Sequence, residues 1–302
     1  MRRTAVVGRD RIVVVILIVL GAVLAPSSEA LATPDWAPAA AAAIHPGVEV
    51  VTGSGACTSN FIFYDNRNVY IGQAAHCSTT GTATELDGCE APSLTLGTPV
   101  QVSGATEPGI LVYNSWLTMQ ARGETDPDAC RYNDLALIRL DPADFGRVNP
   151  SIPHWGGPTG INVTGSPANE FVYSYGNSPL RLGLQLLSPK VGLSQGDRGA
   201  GWSHTALVIT PGIPGDSGSA VLDQRGRALG VLSTVEIGVP SGLTNGVGAI
   251  ALELDYLRRN VPDLSEVQLA RGTEPFNPNQ LPLGPVPVLD RLLRALLGPL
   301  GL

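Results

Sequence analysis

The chain has 302 residues, 43% of them hydrophobic and 15% charged, which is too apolar for a disordered protein and enough for one large domain or two small ones. Its 36 glycines and 25 prolines argue against a helical bundle, because both residues weaken helix interiors. A formal charge of −7 with no stripe of Lys or Arg excludes a protein that tracks nucleic-acid phosphates.

At the start of the chain Arg2, Arg3, Arg9 and Arg11 precede an apolar run from Ile12 to Leu24, and Ala30-Leu31-Ala32 follows with small side chains at alternate positions. This is the pattern of a removable secretion signal over residues 1–32. The apolar run is shorter than the roughly 20 residues that span a bilayer. Export changes how the cysteines are read. Cys57, Cys77, Cys89 and Cys130 are an even set, with no C-x-x-C pair or zinc-like His spacing, so two disulfides are expected. Three pairings are open, the simplest by order being Cys57 with Cys77 and Cys89 with Cys130.

From residue 48 to about 252 the chain alternates short β-rich runs with Gly, Pro, Asn and Ser clusters. The runs are Val48 to Thr52, Phe61 to Asp65, Val69 to Ala75, Leu94 to Ser103, Gly109 to Trp116 and Leu135 to Leu140, then Phe171 to Tyr175, Leu182 to Lys190, Thr205 to Thr210, Ser219 to Leu222, Ala228 to Val235 and Gly246 to Leu252. Twelve predicted strands in two groups of six give an all-β class of paired barrels or sandwiches. The Pro/Gly-rich stretch from Asn149 to Pro158 divides a first module (33–150) from a second (151–262). Glu253 to Asn260 reads as a short closing helix. Residues 263–302 stand outside the strand pattern: Thr273 to Pro287 is a Pro-rich spacer, and the tail from Val288 to Leu302 sets Leu289, Leu292, Leu293, Leu296 and Leu297 on one helical face. The tail is read as docking on the body, with contact to a membrane or cell surface, or a role as a removable segment, as the alternatives.

Three motifs occur in order at strand ends: Gly72-Gln73-Ala74-Ala75-His76-Cys77, Asp134-Leu135-Ala136-Leu137, and Gly215-Asp216-Ser217-Gly218-Ser219. A serine hydroxyl is a poor nucleophile at neutral pH and needs a base to take its proton, a task that suits imidazole; a carboxylate then fixes the imidazole tautomer. Each motif alone has a bland reading as a core histidine, a strand cap or a turn serine. All three in this order do not. In these motifs the sequence resembles the chymotrypsin-like serine proteases, closest to their short secreted bacterial branch, over roughly residues 44–260.

The resemblance implies two six-stranded antiparallel Greek-key β-barrels with the active site in the cleft between them and a short C-terminal helix. It implies His76 as base, Asp134 as its carboxylate partner, Ser217 as nucleophile, and the backbone N–H groups of Gly215 and Ser217 as oxyanion hole. It puts Pro211 and Gly212 near the base of the primary specificity pocket and makes Ser233, Thr234 and Val235 the strand that pairs with substrate. It also favours the Cys57–Cys77 bridge, which pins the histidine loop. With no acidic residue at Pro211, cleavage after Arg or Lys is disfavoured; Glu236 is the one nearby carboxylate that could reverse this.

Two departures stand out. Ser219-Ala220 replaces the animal family's Gly-Pro, and there is no Ile-Val-Gly-Gly activation start. Ile44, thirteen residues before Cys57, is on a short tether, so Asp216 is expected to pair with an internal arginine. His45, His154 and His204 lack motif neighbours. The alternating Glu124, Asp126 and Asp128 are read as a solvated acidic loop, without the glycine and closing glutamate of a calcium site. The expectation is a secreted serine endopeptidase acting on protein or peptide, without metal, cofactor, nucleic acid or stable oligomer. The alternative is an inactive protease-like binding module at the cell surface.

Overall fold

The computed structural model describes residues 33–82, 86–238 and 242–280. The expected secretion signal and the leucine-rich tail lie outside them. Among the described residues the apolar runs become β1 (Glu49–Thr52), β2 (Gly55–Thr58), β3 (Ile62–Tyr64), β4 (Val69–Ala74), β5 (Pro99–Val102), β6 (Gly109–Asn114), β7 (Leu135–Arg139), β8 (Phe171–Tyr175), β9 (Pro189–Arg198), β10 (Ser203–Ile209), β11 (Ala220–Leu222), β12 (Ala228–Gly238), β13 (Gly242–Ala249) and β14 (Gln268–Leu269). The helices are α1 (Ser115–Arg122), α2 (Pro127–Tyr132) and α3 (Ile250–Asn260).

The strands form two sheets: the first is a curled antiparallel sheet in the order β14-β3-β4-β7-β6-β5-β1-β2, and the second is a closed barrel, β10-β13-β12-β11-β8-β9. The first is thus an open half-barrel of eight strands where a closed ring of six was expected. Its edges are lengthened by β2, a hairpin partner of β1, and by β14, which returns from beyond α3 to pair with β3. The barrel is filled by Val172, Ala206, Val208, Val221, Leu229, Leu232 and Val247. Strand β4 is buried along its whole length, as is β7 except for Arg139, so both read as continuous apolar runs. Wholly buried side chains such as Ile62, Phe63 and Ile71 contribute about 1.5–3 kcal/mol each.

Local chemistry explains where the predicted elements shift. The run read as one strand to Trp116 stops at Asn114, whose side chain accepts from the N–H groups of Trp116 and Leu117 and so starts α1. Gly123, at φ 63°, ends that helix. The acidic loop contains α2, capped by the Asp126 side chain. The strand expected from Leu182 to Lys190 begins only at Pro189. Leu182 and Gly183, at φ 52° and 76°, cannot extend a strand, and Leu180, Leu182 and Leu184 are exposed. Helix α3 begins at Ile250, one turn before Glu253. Residues 262–280 run along the body: Ala270 N–H donates to the Ile62 carbonyl, Gly157 N–H to that of Glu274, and the Phe276 ring meets Tyr173 edge-on at 5.2 Å. Among the described residues no helix is long and apolar enough to cross a membrane.

Candidate active site

Pairing of β4 with β7 brings Ala74 opposite Leu135, so the turn that follows β4 lands beside the residue that precedes β7. That turn is a short 3₁₀ helix, Ala75–Ser78, carrying His76. The His76 backbone N–H donates to Asp134 Oδ1 at 2.9 Å, and Nδ1 lies 2.7 Å from Oδ2. An ionised carboxylate only accepts, so Nδ1 carries the proton and Nε2 is left as the acceptor. Burial works against charging the imidazole, but the charge and hydrogen bond of Asp134 outweigh it and raise the His76 pKa above the usual 6.5. Ser233 Oγ donates to the same Oδ2 at 2.6 Å. Ser233 can do so because the β12–β13 ladder slips between Leu232 and Thr234, freeing one residue from the regular pairing. Asn114 braces the turn from behind, donating to the Ala75 carbonyl and to Ser78 Oγ. Cys57–Cys77 ties β2 to it, and Cys89–Cys130 forms the second disulfide.

Ser217 lies on a tight turn between β10 and β11. Gly215 and Gly218 have φ of 93° and 88°, where an L side chain is strained. A Cβ on Gly218 would sit 2.4 Å from the Thr58 carbonyl oxygen and 2.9 Å from the Ala74 amide, so only glycine lets the turn press against β2 and β4. The first sheet is stitched to this turn by Thr58 of β2, which the motifs do not flag: its N–H donates to the Ser217 carbonyl (2.9 Å) and its hydroxyl to the Gly215 carbonyl (2.8 Å). Ser219, the departure from the animal pattern, closes the turn by donating its hydroxyl to the Asp216 carbonyl at 2.6 Å.

Asp216 is wholly buried and meets two cations. Arg181 Nη2 lies 2.5 Å and Lys190 Nζ 3.0 Å from Oδ2. The N–H groups of Ile213 and Ser178 donate to its two oxygens. The expected internal arginine is therefore Arg181, joined by Lys190, which sequence reasoning missed although it is the sole lysine of the chain. Burial alone would raise the Asp216 pKa, yet the Lys190 and Arg181 charges hold it below its ordinary range. Lys190 is pushed down to about 8, by burial first, against the pull of Asp216. Ile44 is buried and bridges Val148, with its amide donating to the Arg147 carbonyl.

His76, Ser217, Pro214, Gly215, Ser233, Thr234 and Val235 line one cleft of about 570 Å³, together with the Cys57–Cys77 bridge, Thr79 and Leu86. Pro211 and Gly212 are not among its walls. The Pro211 carbonyl accepts from Arg181 and the Gly212 N–H donates to Asn245 Oδ1, while Asn245 also donates to the Thr234 carbonyl at 3.3 Å. Buried Asn245 thus links the expected pocket base to the expected pairing strand. The ladder of β12 with β11 ends at Val231, leaving the edge of residues 233–235 open toward the cleft. The Glu236 side chain lies outside the described residues.

The remaining histidines sit apart. His204 is buried against Asp197 at 2.6 Å, His154 packs edge-on against Trp155, and His45 Nδ1 lies 2.8 Å from the Pro46 carbonyl. Glu124 and Asp126 turn their carboxylates onto nearby backbone N–H groups.

No family model matches the chain, nor does any curated protein. Solved structures of similar fold include Thermobifida fusca protease A, at 18% identity and a TM-score of 0.49 over 76% of this chain and 100% of that one. They also include Nocardiopsis protease (17%, 0.45, over 75% and 98%) and Cellulomonas bogoriensis chymotrypsin (18%, 0.42, over 76% and 98%). These neighbours are bacterial chymotrypsin-like serine proteases, and it is to them that the fold of this chain is similar.

Proposed function

We propose that the protein is a secreted serine endopeptidase working through an acyl-enzyme, with Ser217 as nucleophile, His76 as base and Asp134 as the carboxylate that orients it. The observation that carries this reading is the His76–Asp134–Ser233 chain of short hydrogen bonds opening onto the cleft that Ser217 lines. Ser217 Oγ attacks the peptide carbonyl while His76 Nε2 takes its proton. The N–H groups of Gly215 and Ser217 receive the oxyanion, a charge that exists only in the tetrahedral intermediate; one such donor is worth about 3–4 kcal/mol of barrier. The imidazolium then protonates the leaving amine, and water repeats the cycle to free Ser217.

An extended substrate adds to the open edge of β12 at Ser233, Thr234 and Val235. The buried carboxylate near the expected pocket base, Asp216, is already matched by Arg181 and Lys190, so nothing there offsets the desolvation of a basic P1 side chain. The P1 preference is therefore uncharged. Two disulfides suit an oxidising compartment, in keeping with export. The test is hydrolysis of a peptide library varied at P1, with Ser217→Ala alongside. Cleavage after uncharged residues that Ser217→Ala abolishes is expected. No cleavage, or cleavage that survives in the variant, refutes the activity; cleavage mainly after Arg or Lys refutes the pocket assignment.

A further inference from the structure

Next to Asp134 lies a second carboxyl group, that of Glu253. Glu253 occupies the first turn of α3 and is fully buried. Its Oε1 accepts the Asp134 backbone N–H at 2.9 Å across 119 residues of sequence. The approach is close enough that a Cβ on Gly248 would lie 2.5 Å from Oε1. Its other oxygen, Oε2, has no hydrogen-bond partner among the described residues, and neither does the buried Tyr113 hydroxyl. No Arg, Lys or His among them pairs with Glu253. The titratable groups it faces are Asp134, just before β7, and Tyr113 of β6, with Tyr256 one turn along α3 acting on Tyr113.

We propose that Glu253 is a positioning residue that fixes the Asp134 backbone, and with it the carboxylate that orients His76, from the first turn of the C-terminal helix. The inference rests on the triad reading above. Asp134 is then held at backbone and side chain alike: Glu253 takes its backbone N–H, while His76 and Ser233 occupy its side-chain oxygens. A buried carboxylate without a counter-charge costs far more than the neutral acid. Burial, with the Asp134 charge adding to it, pushes the Glu253 pKa up to about 8 against the pull of the Asp134 N–H. Glu253 is therefore a neutral acid at neutral pH, a carbonyl acceptor without a second negative charge beside Asp134. Above about pH 8 it ionises, and the added charge favours the His76 imidazolium, which withholds the base.

The linkage has a definite sign. Because the folded protein keeps this proton while the unfolded chain loses it near pH 4.5, Glu253 removes stability as pH rises from about 4.5 to about 8 and has no further effect above that. Glu253→Gln preserves the acceptor and cannot ionise; Glu253→Ala removes the acceptor. The full chain and both variants are compared by thermal melting from pH 5 to 9, by the NMR signal of the His76 Nδ1 proton, and by the rate of fluorophosphonate labelling. The Gln variant is expected to lose one proton's worth of the falling stability slope. The Ala variant is expected to shift the His76 signal and label about tenfold more slowly, and Gln to regain at least half of that rate. A Gln variant with the wild-type slope overturns the proposal, as does an Ala variant with wild-type labelling and an unmoved His76 signal. If Ala does not fold, the Gln slope decides. Wild-type protein that fails to label refutes the triad reading, while melting and the His76 signal still judge Glu253.

Discussion

Replacing Lys190 with methionine tests whether burial or ion pairing governs the cluster under the nucleophile turn. Lys190 is wholly buried, with Nζ 3.0 Å from Asp216 Oδ2 and 3.2 Å from the Thr210 carbonyl. Its pKa nonetheless falls from 10.5 to about 8, so the protein disfavours the charged form even with Asp216 in contact. At about 1.4 kcal/mol per pH unit, charging Lys190 in place costs on the order of 3 kcal/mol more than in water. Methionine fills similar space without charge, and Arg181 remains on Asp216. The lost hydrogen bonds offset about 1–2 kcal/mol, so Lys190→Met should be neutral to about 2 kcal/mol more stable at pH 7. The sign with pH is fixed: the unfolded chain holds the lysine proton up to about 10.5 and the native protein only up to about 8, so any advantage of Met exists below pH 8 and disappears by about 10.5. Urea denaturation of both proteins at pH 7 and pH 10, with equal m-values, measures this. Loss of more than about 2 kcal/mol at pH 7 would instead make the Lys190–Asp216 pair a net stabiliser and overturn the dominance of burial.

Three further outcomes are expected. Thr58→Val leaves the Gly215 carbonyl and the Asn177 N–H without their hydroxyl partner, at about 1–3 kcal/mol for each stranded group; kcat should fall at least tenfold while KM moves little, and an unchanged kcat contradicts the clamp. The double variant Cys57→Ser/Cys77→Ser opens a loop spanning 20 residues, worth about 3 kcal/mol, and should lower Tm by roughly 10 °C in a calorimetric scan. Because Asp134 raises the His76 pKa above 6.5 and attack needs the neutral imidazole, the acid limb of kcat/KM should have its midpoint above 6.5; a midpoint at or below it removes the assigned coupling.

The readability of the sequence followed the range over which each residue acts. Phe171–Tyr175 forms the strand expected from its β-branched and aromatic run, and β4 and β7 emerge where continuous apolar runs predict buried strands. The His76, Asp134 and Ser217 motifs were legible because each is a few contiguous residues. Leu182 to Lys190 misled because its leucines resemble a core strand, yet the left-handed backbone at Leu182 and Gly183 turns them outward. Asn114 reads as strand in the sequence because its role as a helix cap depends on the residues after it. Thr58, Arg181, Lys190 and Glu253 were invisible for another reason. Their partners lie 35 to 157 positions away for Arg181 and Thr58, and no local pattern marks a residue whose role is set by a distant one.

Whether Ser217 is an activated nucleophile is read from the mass of the covalent adduct after the full chain meets a fluorophosphonate probe. One adduct is expected, mapped to the peptide containing Ser217, absent in Ser217→Ala and reduced at least a hundredfold in His76→Ala. A folded wild-type protein that stays unmodified, or an adduct that survives in Ser217→Ala, would contradict an activated Ser217.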